Sequence, residues 1–210
     1  MIVTVSRQFG AGGGEVAGLT AAALGFRVVD NELIDRVALR TGVPPEEVAE
    51  REEKAPGFIE RLSRALSRSA PELFSPAPGR PPEPEEKTLV QVTERVVAEI
   101  AAEGRVVLVG RAASAVLSGA HDAIHVKLVA PVPARIERII ARFGVDAKEA
   151  ERRLRETDAN RARYHMHHYG RDWNDAAHYH MVLNTGVLGT EGAMELIVAR
   201  AKRVWPAPNP

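Results

Sequence analysis

The chain has no cysteine, which excludes disulfides, thiolate metal sites and a cysteine nucleophile and suits a reducing compartment. It also lacks net charge: lysine plus arginine and aspartate plus glutamate both number 28. Nothing in that balance favours nucleic acid or an anionic membrane, so any anion site must be local. No stretch reaches the roughly 18 apolar residues of a membrane span, and Met1-Ile2-Val3-Thr4-Val5 lacks the basic start of a signal peptide. The expectation is a cytoplasmic protein with neither membrane nor nucleic acid as partner. What is present, 210 residues of which 45% are hydrophobic, is enough to bury the core of one domain.

Ile2 to Val5 is a β-rich run that stops at Ser6-Arg7-Gln8-Phe9-Gly10-Ala11-Gly12-Gly13-Gly14, where four glycines in five positions cannot continue a strand. Val16, Leu19 and Ala23 follow at helical spacing, and Gly25 stands where a helix C-terminal glycine belongs. Phe26 to Val29 reads as a second strand ending at Asp30; Leu33, Ile34, Val37 and Ala38 read as a helix closed near Gly42. Residues 46–69 are charged and helix-compatible, whereas six prolines between Pro71 and Glu86 predict an exposed loop. Leu89, Val92, Val96 and Ile100 restore an amphipathic helix that leads into the apolar run Arg105 to Gly110, a buried parallel strand, and His125 to Val129 repeats that pattern. Val132, Ile136, Ile139, Ile140 and Phe143 mark one face of a helix. Asp146, with Glu149 three residues on, spells a capping box that opens an arginine-rich helix. His180 to Leu183 is a last strand, and a helix from about Glu191 to Arg203 closes the chain. Short apolar strands alternating with amphipathic helices predict α/β layers around a mainly parallel sheet.

A loop of small residues between a first strand and a helix leaves backbone N–H groups free to point inward, and the helix N-terminus adds partial positive charge. That makes an anion cradle. A strict phosphate loop reads G-x-x-x-x-G-K-[ST]; here Gly13 and Gly14 fill the places of the lysine and the hydroxyl residue. Two alternatives stand beside it. Gly12-Gly13-Gly14-Glu15-Val16-Ala17 also spells a dinucleotide fingerprint with Asp30 as its ribose acid, although Ser6 to Ala11 separate it from the strand. The turn would otherwise be a flexible connection without a ligand. Arg7 within the turn either supplies the missing cation to a phosphate or pairs with an acid such as Asp30 or Glu32.

The ordered set of residues 2–13, Val29-Asp30-Asn31-Glu32-Leu33-Ile34, Val109-Gly110-Arg111, Val126 to Arg138, Asp158 to Tyr164, Trp173 and Leu183-Asn184-Thr185 resembles the cytidylate-kinase-like family of P-loop nucleoside monophosphate kinases. The resemblance implies a three-layer α/β P-loop kinase fold over residues 1–210, with a mainly parallel sheet flanked by helices. It further implies a mobile helical, proline-rich flap at 43–87 and an arginine-rich lid at 146–175. The implied activity is transfer of the ATP γ-phosphoryl group to CMP, dCMP or a similar nucleotide, with Mg2+ bridging the donor phosphates. Ser6, Arg7, Gly10, Ala11, Gly12, Gly13 and Gly14 would hold donor phosphates, with Asn184 and Thr185 near the donor base. Asp30 and Arg111 would face the acceptor, and Arg161, Arg163 and Arg155 would be lid arginines acting with Arg7 in catalysis. Nucleotide substrates are the implied partners, and a homo-oligomer is left open.

The chemistry suits these residue types, because phosphoryl transfer asks the protein for positioning and positive charge more than for covalent participation. Residues 152–171 hold six arginines against Glu156 and Asp158; some of them are expected to face water in intrahelical pairs. The sequence departs from related cytidylate kinases in its absent loop lysine, its absent loop hydroxyl, and Ala112 after Gly110-Arg111, where an acid is usual. Two readings therefore accompany the kinase: a catalytically weak nucleotide-binding or sensor protein, and a small-molecule kinase with a non-nucleotide acceptor. His165, His167, His168, His178 and His180 lack the spacing of a structural zinc site, so no metal site is expected there. Trp173 and Trp205 are expected to pack rather than bind.

Overall fold

The computed structural model describes residues 1–30, 37–42 and 86–206. Five strands, β1 (Ile2–Arg7), β2 (Arg27–Val29), β3 (Val106–Val109), β4 (Ala123–Val129) and β5 (Met181–Asn184), form one sheet in the order β2-β3-β1-β4-β5. Every neighbouring pair is parallel. The helices are α1 (Gly13–Leu24), α2 (Glu86–Glu103), α3 (Ala113–Val116), α4 (Val132–Phe143), α5 (Ala147–Tyr169) and α6 (Thr185–Val204), with a 3-10 turn at Ala176–His178. Residues 37–41 are also helical and stop at Gly42, whose φ is +68°. The α/β plan, a parallel sheet flanked by helices, is as expected.

Successive strand residues enter opposite layers, as a period of two requires. Ile2, Val106 and Leu108 join Val96, Val97 and Ile100 of α2 on one face. Val3, Val5, Val107 and Val109 join Val16, Ala17 and Ile197, from α1 and α6, on the other. Helices α4 and α5 pair with each other instead, through Ile139, Ala150 and Leu154 with Phe9 packed against them. They therefore rest beside the C-terminal ends of the strands, where parallel α/β sheets present their ligand crevice.

Three sequence expectations change. Strand β1 continues through Ser6 and Arg7, because these pair with Lys127 and Leu128 of β4; Arg7 is the last strand residue and not part of the turn. The final helix begins at Thr185, six residues before the expected start, and runs across a break at Gly189 with φ 70° and ψ 178°. The dinucleotide alternative falls on topology. That fold sets its first strand next to its second, whereas β1 here lies between β3 and β4. The Asp146 N-cap forms, accepting from the Glu149 N–H at 2.8 Å; the Glu149 carboxylate turns to Arg152 and Arg153 and leaves the box half made. The helix expected at 46–69 and the loop from Pro71 lie outside the described residues, except that Glu86 begins α2. Among the described residues no helix is long and apolar enough to cross a membrane.

One buried group gives the fold a pH dependence. His125 is 4% exposed; its Nδ1 lies 2.8 Å from the Thr4 hydroxyl and its Nε2 3.1 Å from the Leu117 carbonyl. The carbonyl can only accept, so Nε2 carries the proton and Nδ1 accepts from Thr4. Burial, reinforced by neighbouring His180, pushes the imidazole down to about 4 from an ordinary 6.5. The unfolded chain thus takes up a proton that the folded chain refuses, and stability falls as pH drops from 6.5 towards 4. His125→Gln is expected to flatten that segment of a plot of unfolding free energy against pH, whose fall from this group is at most roughly 3 kcal/mol. An unchanged slope would show that other groups carry it.

Candidate active site

The glycine loop joins β1 to α1 through two left-handed residues, Gly10 at φ +80° and Gly12 at φ +76°. A side chain at Gly10 would place its Cβ 2.8 Å from the Arg135 carbonyl oxygen, so glycine is needed there for close approach as well as for φ. Gly12 is the N-cap of α1, and no side chain caps that helix. The loop is braced from its far side by elements distant in sequence. Asp158 of α5 accepts the Phe9 N–H at 2.8 Å and pairs with Arg135 of α4 at 2.5 Å. Arg135 also donates to the Phe9 carbonyl at 3.2 Å. The buried Thr185 hydroxyl donates to the Ala11 carbonyl at 2.9 Å and accepts from Arg138 at 3.0 Å.

Arg7 leaves the end of β1 and runs across the start of α1. A Cβ on Gly13 would lie 2.6 Å from Arg7 Cγ, and a Cβ on Gly110 would lie 1.9 Å from a terminal nitrogen of the Arg7 guanidinium. The Arg7 stem thus fills the space a Gly13 side chain would take, and its head lies against the turn after β3. Arg161, 6% exposed although it belongs to the most arginine-rich helix, donates to the Arg7 carbonyl at 2.9 Å. The turn after β3 is itself strained: Gly110, Arg111 and Ala112 have φ of 72°, 53° and 48°. Three consecutive left-handed residues, two of them with side chains, are uncommon and tend to gather at functional sites.

These elements enclose a cleft lined by Ser6, Arg7, Gly110, Ala112, Ser114, Arg161, His165 and Trp173. The Ser6 hydroxyl accepts from the Trp173 indole at 2.9 Å. Behind the indole lies Lys127, 2% exposed, with its ammonium 3.7 Å from the ring centroid and bonded to the Trp173 carbonyl and, at 3.1 Å, to Asn174 Oδ1. Two permanent cations, Arg7 and Arg161, and the hydroxyls of Ser6 and Ser114 suit this cleft to anionic oxygen ligands, and the uncapped start of α1 lies beside it where Gly13 meets the Arg7 stem.

Of the residues expected from sequence, Ser6, Arg7 and Arg161 line the cleft, Gly13 lies against the Arg7 stem, and the other loop glycines do not line it. Arg111 is buried in the strained turn and Asp30 follows β2 at the sheet edge, both at C-terminal strand ends. Asn184 caps α6 by accepting from the Gly186 N–H, and Thr185 supports the loop from beneath. Arg155 is not brought into the cleft: it is exposed and pairs with Glu151 at 2.6 Å. Arg163 is exposed and bonds Asn160 on its own helix. Trp205 packs with Phe26 as expected, whereas Trp173 both packs and lines the cleft. The histidines disperse: His165 enters the cleft, His125 stacks on His180, and among the described residues no three His, Asp or Glu side chains gather as metal ligands. Sequence reading missed Arg135, Arg138, Lys127 and the bracing role of Asp158. The one available signal was an acid three residues before Arg161 in a helix otherwise rich in arginine.

Comparison with known proteins agrees with this fold. The model of the cytidylate kinase-like family matches residues 2–187. A cytidylate kinase of Pyrococcus horikoshii is 31% identical over 108 residues, 51% of this chain and 55% of the relative; the chain spans about half the length of the curated relatives it matches. Among solved structures, an uncharacterized protein from Eubacterium ventriosum superposes with a TM-score of 0.69 at 20% identity, covering 96% of this chain and 98% of the other. Shikimate kinase from Bacteroides thetaiotaomicron gives 0.53 at 14% identity, covering 99% of each chain. At these identities both superpositions report the fold.

Removing the brace should be costly. The Arg135 side chain is only 4% exposed, so Asp158→Ala leaves a buried guanidinium without its carboxylate and the Phe9 N–H without its acceptor. The expected loss is about 3–5 kcal/mol in denaturant unfolding, against under about 1 kcal/mol for Glu151→Ala, which breaks the exposed pair with Arg155. Equal losses would remove Asp158 from its bracing role.

Proposed function

The chain belongs to the cytidylate kinase-like family, and on that premise we propose that it is an ATP-dependent nucleoside monophosphate kinase, transferring the γ-phosphoryl group to CMP, dCMP or a similar nucleotide. The observation that carries this reading is the course of Arg7, whose stem occupies the side-chain space beside Gly13, the place of the phosphate-loop lysine, and whose head reaches the turn at Gly110. A cation is thereby kept at the loop although the lysine is gone. The guanidinium lies between the loop that would hold the donor and the turn that would face the acceptor, where charge builds during phosphoryl transfer.

The residues present fit the donor phosphates. Gly10 and Gly12 give the loop a left-handed, close-approach course, α1 presents an uncapped N-terminus, and Arg7 and Arg161 add fixed charge. Among the described residues, the loop and the start of α1 offer no free protein ligand for Mg2+. Gly14 has no hydroxyl, and the Glu15 carboxylate accepts from Thr190 at 3.0 Å. Magnesium would then rely on the donor phosphates and water, without the carboxylates that commonly help hold this ion. Ser6 and the loop amides orient the donor, Arg161 is fixed on the Arg7 carbonyl to meet the transferring group, and Asp30 and Arg111 serve the acceptor. In this reading 43–87 is the flap, 146–175 the lid, and the setting cytoplasmic.

A second reading, nucleotide binding with little turnover, is favoured by the absence of both the lysine and the hydroxyl at Gly13 and Gly14. Ala112, in the cleft where related cytidylate kinases carry an acid, favours an acceptor other than cytidine. A coupled ATP-turnover assay across nucleotides and phosphorylatable metabolites separates these readings; ATP binding without turnover on any acceptor would replace the kinase by the binding protein.

Arg7→Met keeps an unbranched stem beside Gly13 and removes the guanidinium. It is expected to lower kcat at least tenfold, about 1.4 kcal/mol of transition-state stabilisation, with little change in thermal midpoint. The exchange Arg7→Gly with Gly13→Lys returns the cation to the helix start and should recover part of the loss. Full turnover in Arg7→Met would end the idea that Arg7 replaces the lysine.

A further inference from the structure

Lys127 is used by neither the donor nor the acceptor side of this reading, yet it is among the most deeply buried charged side chains described. Its hydrogen bonds go to the Trp173 carbonyl and to Asn174 Oδ1 at 3.1 Å, both on the segment that follows α5. Its ammonium also lies 3.7 Å from the Trp173 ring centroid and 5.3 Å from that of Tyr179. No carboxylate comes within ion-pair distance of it among the described residues. A buried ammonium held by a carbonyl, an amide and two aromatic faces stays charged at a cost, which geometry of this quality reduces.

What Lys127 holds is connected directly to the phosphate site. The Trp173 indole donates to the Ser6 hydroxyl at 2.9 Å, and Ser6 is the strand partner of Lys127 itself. Twelve residues earlier, α5 is attached to the next position, because Arg161 donates to the Arg7 carbonyl. Helix α5 and the segment that follows it are therefore fastened to β1 at two adjacent residues, where the strand becomes the glycine loop. One attachment belongs to Arg161; the other depends on Trp173, which rests on Lys127.

We propose that Lys127 is a positioning residue of the phosphate site, clamping the segment after α5 onto β1 through Trp173 and so fixing the Ser6 hydroxyl and the entry of the glycine loop. That it serves a phosphate site rests on the kinase reading; the clamp itself does not. Burial pushes the ammonium down to about 8, against an upward pull from Asp158 of α5 and Asp172 of the clamped segment. The third titratable group facing it, Tyr179 of the neighbouring turn, is pushed up from 10 by burial and stays neutral through that range.

Two measurements without nucleotide test the clamp. In a Trp205→Phe background, where Trp173 is the sole tryptophan, emission is expected to change with a midpoint near pH 8 as the ammonium loses its charge. Lys127→Met and Lys127→Arg should abolish that titration. In hydrogen exchange, Lys127→Met should speed the amides of Gln8, Phe9 and Ala11 at least tenfold and leave Val107 and Leu108 of β3 unchanged. Lys127→Arg, which keeps a cation under the indole, should retain slow exchange, and Trp173→Phe, which removes the bond to Ser6 while keeping an aromatic ring over Lys127, should reproduce the fast exchange. Wild-type exchange at the loop in Lys127→Met, or in Trp173→Phe should the first variant fail to fold, overturns the assignment, as does a Trp173 titration that persists without Lys127. A failure of ATP turnover would count against the kinase reading alone.

Discussion

The geometry of the site depends on one carboxylate. Asp158 faces the buried end of the glycine loop, with one oxygen on the Phe9 N–H and the other on Arg135. Through it the loop, α4 and α5 become a single unit, although α4 and α5 contribute almost nothing to the sheet. The Arg135 guanidinium has left water and needs its partner, so the pair has a strict geometry that an exposed pair would lack. The loop can present its N–H groups outward because this side is fully engaged.

On that support the site differs from a standard phosphate loop in where its cation starts. A lysine at the first position of the helix would rise beside the loop. Here glycine stands at that position, and the side chain of the last strand residue crosses the vacated space. Gly13 and Gly110 have no side chains for the same reason, since either would meet Arg7. The strained turn Gly110-Arg111-Ala112 follows from this crowding: the chain passes close beneath a guanidinium and then reverses into α3.

Helix α5 serves two purposes along its length. Its first half is a solvated surface of i,i+3 and i,i+4 pairs, in which Arg152 and Arg153 hold Glu149 well below the usual carboxylate range. Such pairs contribute little to stability. Its second half turns Asp158, Arg161 and His165 inward. The arginine-rich composition thus reflects solvation at one end and a site at the other.

The sequence by itself determined the α/β plan, because strand and helix periods are local properties and the glycines at 10, 12 and 25 adopt the left-handed conformations that their positions require. It also determined that a glycine-rich turn of phosphate-loop type follows the first strand, close after Arg7. Only the tertiary structure decided which arginines face the cleft. Arg155 and Arg161 lie six residues apart on one helix, yet one faces water and the other the loop. The strand order, which ruled out the dinucleotide alternative, and the brace made by Asp158, Arg135 and Thr185 were likewise beyond sequence reading. Each joins residues separated by 23 to 174 positions, and no local periodicity records a contact across such distances.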